Sequence, residues 1–328
     1  MSLKETLSGH RTAPLILDGA FGTMVQGYGL TEQDFRGYRY RHLSGMLLGN
    51  NEMLNLTRPD VVEEIYAAYI NAGADIITAN TFSANAVSQA DYHCEHLVGE
   101  MNRAGVRLAR EAFAKSGRHG FVIATIGPTN KSLSISPDIN APACRAITFD
   151  QLAEAYIAQM SALVEEGVDA IMLETIFDTL NAKAGIYAAQ EIMQITGCRV
   201  PLMLSVTVND ASGRLLSGQT LDAFLISVAH SGMMSVGLNC SFGADDMLPI
   251  LRNLHRSIER MCREDGGRCF ISCHPNAGLP NFLGQYDVTP ERFAESVRPM
   301  ITEGLVDIIG GCCGTTPEHI KAIAELCR

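Results

Sequence analysis

No stretch of this 328-residue chain approaches the ~18–20 consecutive apolar residues that a membrane-spanning helix requires. Its first residues, Met1-Ser2-Leu3-Lys4-Glu5, are polar and lack the apolar segment of a secretory signal. A long basic run is missing too, and the formal charge is −11, which argues against nucleic acid or an anionic membrane as the main partner. None of the ten cysteines forms a C-x-x-C pair, which weakens a thiol-redox reading. Asp18-Gly19-Ala20-Phe21-Gly22 does not match the G-x-G-x-x-G of dinucleotide-binding sheets. Low-complexity segments and linkers are absent, so the expectation is one domain over residues 1–328. Cysteines without a secretory signal read as reduced thiols, some of them metal ligands, in a cytoplasmic protein.

Hydrophobic residues make up 47% of the chain, ample for a large core. Short apolar runs recur at Leu15–Asp18, Asp75–Asn80, Val122–Ile126, Ala170–Glu174, Leu202–Val208, Ser235–Asn239, Cys269–Cys273 and Val306–Ile309. Amphipathic segments at helical spacing lie between them, among them Asp60–Ala72, Phe149–Glu166, Thr179–Thr196 and Pro290–Glu303. Alternation of near-continuous apolar strands with helices implies a parallel sheet covered on both faces. Eight such units in roughly 300 residues predict a closed (β/α)8 TIM barrel. The long stretches Gly27–Glu52 and Lys131–Thr148 are expected to build over its mouth.

In such barrels the chemistry sits at the C-terminal ends of the strands. Asp18, Asn80, Glu174, Cys240, His274, Asn276, Cys312 and Cys313 fall there. The segment Gly310-Gly311-Cys312-Cys313-Gly314 places two adjacent thiols in a glycine frame. Neighbouring side chains of a strand point to opposite faces, so the pair can share one ion only where the backbone leaves the strand. Gly310, Gly311 and Gly314 are expected to supply that freedom through positive φ. Cys240, in Gly237-Leu238-Asn239-Cys240, offers a third thiol. Three protein ligands with one open position is the catalytic zinc pattern. Ordinary packing and a strained vicinal disulfide are the rival readings, and Cys273-His274 is a rival ligand pair. Zn2+ with three thiolates is a poor Lewis acid but a good seat for a substrate thiolate, which points to alkyl transfer onto a thiol. Asp18 and Glu174 are candidates for the ammonium of an amino-acid substrate, against the alternatives of a helix cap and a structural ion pair. The backbone amides of Gly19 and Ala20 are candidates for its carboxylate.

Several segments carry a resemblance: Leu17-Asp18-Gly19-Ala20-Phe21-Gly22-Thr23-Met24, Gly49-Asn50-Asn51-Glu52, Gly127-Pro128-Thr129-Asn130, Glu174-Thr175-Ile176-Phe177-Asp178, and the two cysteine motifs. Together with Ser212–Thr220 and His274–Pro280 they make the chain resemble the homocysteine S-methyltransferase family. Within it, the chain looks most like the homocysteine-binding module of cobalamin-dependent methionine synthases. The resemblance implies a zinc ion on Cys240, Cys312 and Cys313 that binds homocysteine sulfur, with Asp18, Gly19, Ala20 and Glu174 holding the amino-acid end. It implies Asn276 as a fourth zinc ligand before substrate arrives, and no catalytic side chain beyond the zinc site. The methyl donor it implies is methylcobalamin on a separate corrinoid protein or module. Betaine or S-methylmethionine as direct donor is the alternative, and a non-catalytic zinc-stabilised interaction subunit is the alternative of another class.

Overall fold

The computed structural model describes residues 1–265 and 267–327, and its eight parallel strands form one sheet. These are β1 (Leu15–Ile16), β2 (Ile76–Ala79), β3 (Phe121–Ile126), β4 (Ala170–Ile176), β5 (Leu202–Val206), β6 (Ser235–Gly243), β7 (Phe270–Asn276) and β8 (Ile308–Ile309). Neighbours follow sequence order from β2 to β8, and β8 pairs with β1. A parallel bridge from Leu17 to Ile76 closes the ring, with Asp18 N–H donating to the Ile76 carbonyl at 3.0 Å. The expected (β/α)8 barrel is therefore the observed fold.

Each strand leads into a helix on the outside. In order these are α1 (Pro59–Ala72), α2 (Val98–Ser116), α3 (Phe149–Glu165), α4 (Thr179–Thr196), α5 (Leu221–Val228), α6 (Ala244–Asp265), α7 (Pro290–Thr302) and α8 (Pro317–Leu326). Proline at the first turn and a threonine hydroxyl accepting from Arg292 N–H start α7, as the sequence chemistry anticipates. The apolar residues divide between two cores. One lies between strands and helices and includes Ile77, Leu173, Leu204, Val236 and Ile309. The other fills the barrel interior, where Ile76, Ile123, Met172, Met203, Phe270 and Ile308 meet Leu3 and Leu7 of an N-terminal helix. That plug makes the lower barrel a packed core rather than a pore.

Three strands run further than their apolar runs suggest. β4, β6 and β7 continue through Thr175-Ile176, Cys240–Gly243 and His274-Pro275-Asn276, beyond the runs that end at Glu174, Asn239 and Cys273. Propensity ends these strands early, but ladder pairing with neighbours continues past irregularities between Leu173 and Ile176 and between Asn239 and Gly243.

Candidate active site

Two to four residues above the apolar plug, the inward-facing positions become polar. Thr78, Thr125, Glu174 and His274 stand above Ile76, Ile123, Met172 and Phe270, and all four line a cavity of about 760 Å³ at the barrel mouth. Cys240, Cys312 and Cys313 lie in the wall of the same cavity. Their Sγ atoms are separated by 2.9 Å (Cys240–Cys312), 3.6 Å (Cys240–Cys313) and 4.0 Å (Cys312–Cys313). The 4.0 Å gap is about twice a disulfide bond length, and all ten cysteines are free. Ligands at ~2.3 Å in a tetrahedron around zinc stand about 3.8 Å apart, a spacing the three separations bracket. Among the described residues, these three form the cluster of His, Cys, Asp or Glu able to hold a metal ion.

Electrostatics supports the same fit. Hydrogen bonds to Cys240 and Cys313, with burial, push the Cys312 thiol well up. The bonds that Cys313 accepts from Cys240 and Cys312 pull it down. Three adjacent thiolates repel one another, so without a cation the cluster retains protons. A divalent cation is what makes three adjacent thiolates stable together.

The backbone reaches this arrangement differently from expectation. Of the three glycines framing Cys312 and Cys313, Gly314 alone has positive φ (80°). Gly310 and Gly311 serve close approach instead. A Cβ at Gly310 would sit 2.9 Å from the Asp18 carbonyl, and one at Gly311 would sit 2.5 Å from Thr315 Oγ1. The turn is then tied to its neighbours. Cys312 N–H donates to the Pro275 carbonyl at 2.8 Å, Ala277 N–H to the Cys313 carbonyl at 2.9 Å, and Gly314 N–H to Thr23 Oγ1 at 3.0 Å. Positive φ instead falls on three non-glycine residues of the site, Thr175 (57°), Cys240 (56°) and Ser241 (63°). Such conformations cost of order 1–3 kcal/mol each and mark backbone held in place by its surroundings.

The two carboxyls are buried in the same cavity. Asp18 accepts from Thr78 N–H at 2.8 Å and from Thr78 Oγ1 at 3.0 Å, which fixes its plane. Burial pushes its carboxyl well up, and the nearby Glu174 adds to the effect. Burial likewise pushes Glu174 up to about 8. Neither carboxyl has a basic partner among the ion pairs of the described residues, so the structural ion-pair reading of Glu174 finds no support. Gly19 lines the cavity, and its amide has no acceptor among the described residues. Ala20 differs from expectation: its N–H is taken by Thr315 Oγ1 at 3.1 Å, although its φ of −68° is unstrained.

Asn276 is buried, and its Oδ1 has no hydrogen-bond partner. Its backbone lies between the two bonds that tie β7 to Cys312 and Cys313, and its side chain borders a smaller cavity beside Gly243 and Phe293. The rival pair separates. Cys273 turns outward to Met247, its Sγ 3.3 Å from the thioether sulfur, while His274 turns inward, with Nε2 3.3 Å from Ser205 Oγ. Burial holds His274 down to about 4, so its ring is neutral.

Sequence reasoning missed several participants. Thr78 and Tyr286 line the cavity but carry no motif of their own, and the Tyr286 hydroxyl, from a loop, hydrogen-bonds the Cys313 thiol. Glu52, at the end of a quoted motif, is buried and lines the cavity, with Oε1 accepting from Ser83 N–H at 2.8 Å. The two long stretches differ: Gly49, Asn51 and Glu52 of the first line the mouth, whereas in the second the cavity is lined by Pro128, Thr129 and Asn130 just before Lys131, and Asp178 holds the stretch itself by accepting from Ser134 N–H at 2.9 Å.

Fold and site together define a (β/α)8 barrel with a cluster of three thiols, spaced as metal ligands are, at its mouth. Residues 15–327 match the sequence profile of the homocysteine S-methyltransferases, and the chain belongs to that family. Among solved structures, the homocysteine methyltransferase MmuM from Escherichia coli is similar in fold. Its oxidized form gives a TM-score of 0.71 at 19% identity, with 95% of each chain covered. Its metallated form gives 0.68 at 20% identity, covering 98% of this chain and 99% of that one.

Proposed function

We propose that this protein methylates homocysteine on sulfur to give methionine, using zinc held by Cys240, Cys312 and Cys313 and methylcobalamin on a partner protein or module. The observation that carries the reading is the convergence of those three thiols, from β6 and the segment after β8, beside two buried carboxyls. When bound, a zinc ion on three thiolates supplies an open position where a further thiol loses its proton yet stays nucleophilic. The chain's own residues supply placement. Glu174, buried and largely protonated when free, gives up its proton as the substrate ammonium arrives. Asp18, oriented by Thr78, faces the same space. The free Gly19 amide suits the substrate carboxylate, whereas the Ala20 amide is already engaged. Asn276, with its orphan carbonyl, is the proposed protein ligand before substrate binds. The sulfur pair forms the S–C bond while the donor–methyl bond breaks with its pair left on the donor, and the thiol proton goes to solvent. Positioning is the main contribution of the barrel.

The rim favours a donor carried on a macromolecule. Met46, Ile139, Leu216, Leu279, Phe282 and Leu283 expose apolar side chains on loops at the mouth end, Phe282 with 95% of its surface free. Exposed apolar side chains on loops beside a site are the kind of surface a macromolecular donor would cover. A second reading, direct methylation by betaine or S-methylmethionine, draws on the outer cavity wall. There Glu52, Asp91, Phe82 and Tyr92 offer carboxyls and aromatic faces to a cationic donor. Incubating the zinc-loaded protein and homocysteine with methylcobalamin, betaine or S-methylmethionine in separate reactions distinguishes them. Methionine from the corrinoid alone supports the proposal. Turnover with a sulfonium or betaine and no corrinoid moves the donor to the second reading. No methionine from any donor, with zinc bound and unresponsive to homocysteine, favours a non-catalytic zinc-stabilised subunit.

A further inference from the structure

Asn239 is fully buried and stands between the two irregularities that shape the site. Its Oδ1 accepts from Thr175 N–H at 3.0 Å and from Ser205 Oγ at 2.7 Å, and its Nδ2 donates to Thr175 Oγ1 at 2.9 Å. Its own carbonyl accepts from Thr207 Oγ1 at 3.1 Å. Ser205 continues the chain to His274 Nε2 at 3.3 Å. One side chain on β6 thus reaches across β5 to hold the N–H and the hydroxyl of a residue on β4. What it holds is unusual. Thr175 follows Glu174 and has φ of 57°, while Cys240 follows Asn239 and has φ of 56°. Both turns occur where the ladder slips register, between Leu173 and Ile176 on one side and after Asn239 on the other. Bulges of this kind re-aim side chains beside active sites, and a non-glycine residue keeps such a φ only when its surroundings fix it.

We propose that Asn239 is a positioning residue that couples the two bulges, so that one side chain sets both the Cys240 thiol and the Glu174 carboxyl. This rests on the reading of Cys240 as a metal ligand and Glu174 as an ammonium contact, and extends it by tying the two roles together. An amide suits the task because it accepts from the Thr175 N–H and the Ser205 hydroxyl while donating to the Thr175 hydroxyl. Aspartate in its place lacks that N–H donor, and alanine leaves the Thr175 N–H without its acceptor.

The test compares wild type, Asn239→Ala and the double variant Asn239→Ala with Thr175→Gly. Zinc affinity is read by chelator competition, homocysteine affinity by calorimetry on zinc-saturated protein, and folding by circular dichroism and Tm. For Asn239→Ala the expectation is a folded barrel in which both affinities fall together, each roughly 10–100-fold, the range seen when an outer-shell partner is removed. Glycine adopts positive φ without strain, so Thr175→Gly should restore homocysteine affinity to within about threefold of wild type while zinc affinity stays low. Loss of one affinity with the other unchanged overturns the coupling, as does a double variant with no recovery of homocysteine binding. Should Asn239→Ala fail to fold, Thr175→Gly and Thr175→Val in the wild-type background decide. Under the proposal Thr175→Gly preserves homocysteine affinity and Thr175→Val weakens it, and equal behaviour of the two overturns it. A wild-type protein that takes up neither zinc nor homocysteine instead brings down the functional reading itself.

Discussion

The Sγ atoms of Cys240 and Cys312 lie 2.9 Å apart although 72 positions separate them in the chain. The contact joins β6 to the segment after β8, two strands that are not neighbours, across the end of β7. Barrel closure brings these loops to a common mouth. Two local devices then complete the meeting: the positive φ of Cys240, and the turn after Gly311 that ends at Gly314.

Cys240→Ala, Cys312→Ala and Cys313→Ala should each reduce zinc affinity by more than the ~10–100-fold that loss of an outer-shell partner causes. The thiols line the cavity wall, above the interior plug, so Tm should move little. Metal analysis after dialysis, with a thermal melt, checks both. A variant that keeps full zinc and full activity would remove that residue from the site.

Glu174→Gln should weaken homocysteine binding about 10–100-fold, the equivalent of a lost charge-assisted contact of ~1.5–3 kcal/mol, while zinc stays bound. Calorimetry and metal content on the same sample separate the two effects. Simultaneous loss of zinc would contradict the ammonium role.

The same carboxyl sets a pH dependence. Burial raises the Glu174 carboxyl to about 8 in the folded protein, against an ordinary glutamate value of 4.5. The folded state therefore retains a proton that the unfolded state releases across that interval, and stability of the metal-free protein should fall as pH rises from about 4.5 through about 8. Glu174→Gln should flatten that slope. Urea midpoints at pH 6 and pH 9 for both proteins provide the check, and identical slopes would contradict the assignment.

Gly314→Ala should destabilise the thiol turn. Alanine at φ of 80° is strained, by roughly 1–2 kcal/mol, and its methyl would meet the Tyr286 ring at 2.2 Å. The expected outcome is a folded barrel with a modestly lower denaturation midpoint and weakened zinc binding. Unchanged zinc affinity would show that the turn does not depend on this glycine.

The barrel was legible because each strand carries an apolar run and each helix a matching period, as in Leu202–Val206 and Thr179–Thr196. The thiol cluster was legible from residue type at strand ends. The extensions of β4, β6 and β7 past Glu174, Asn239 and Cys273 were not, because no apolar run continues there and the pairing resumes only through ladder partners on neighbouring strands, at Ile176 with Val206 and at Gly243 with Asn276. The glycine frame was misjudged for a related reason: Gly310 and Gly311 answer to the nearness of Leu17-Asp18 and Thr315, a tertiary fact. Ala20 shows the limit from the other side. Its amide looked available in the sequence, but a threonine 295 positions away takes it.

The central claim is that the three converging thiols form a zinc site that activates a substrate thiol. The most direct test measures zinc per chain and proton release on adding homocysteine near neutral pH. The account predicts one zinc per chain and a homocysteine-dependent release of protons that disappears in Cys312→Ala. Absence of zinc, or bound zinc with no proton released by homocysteine, would contradict it.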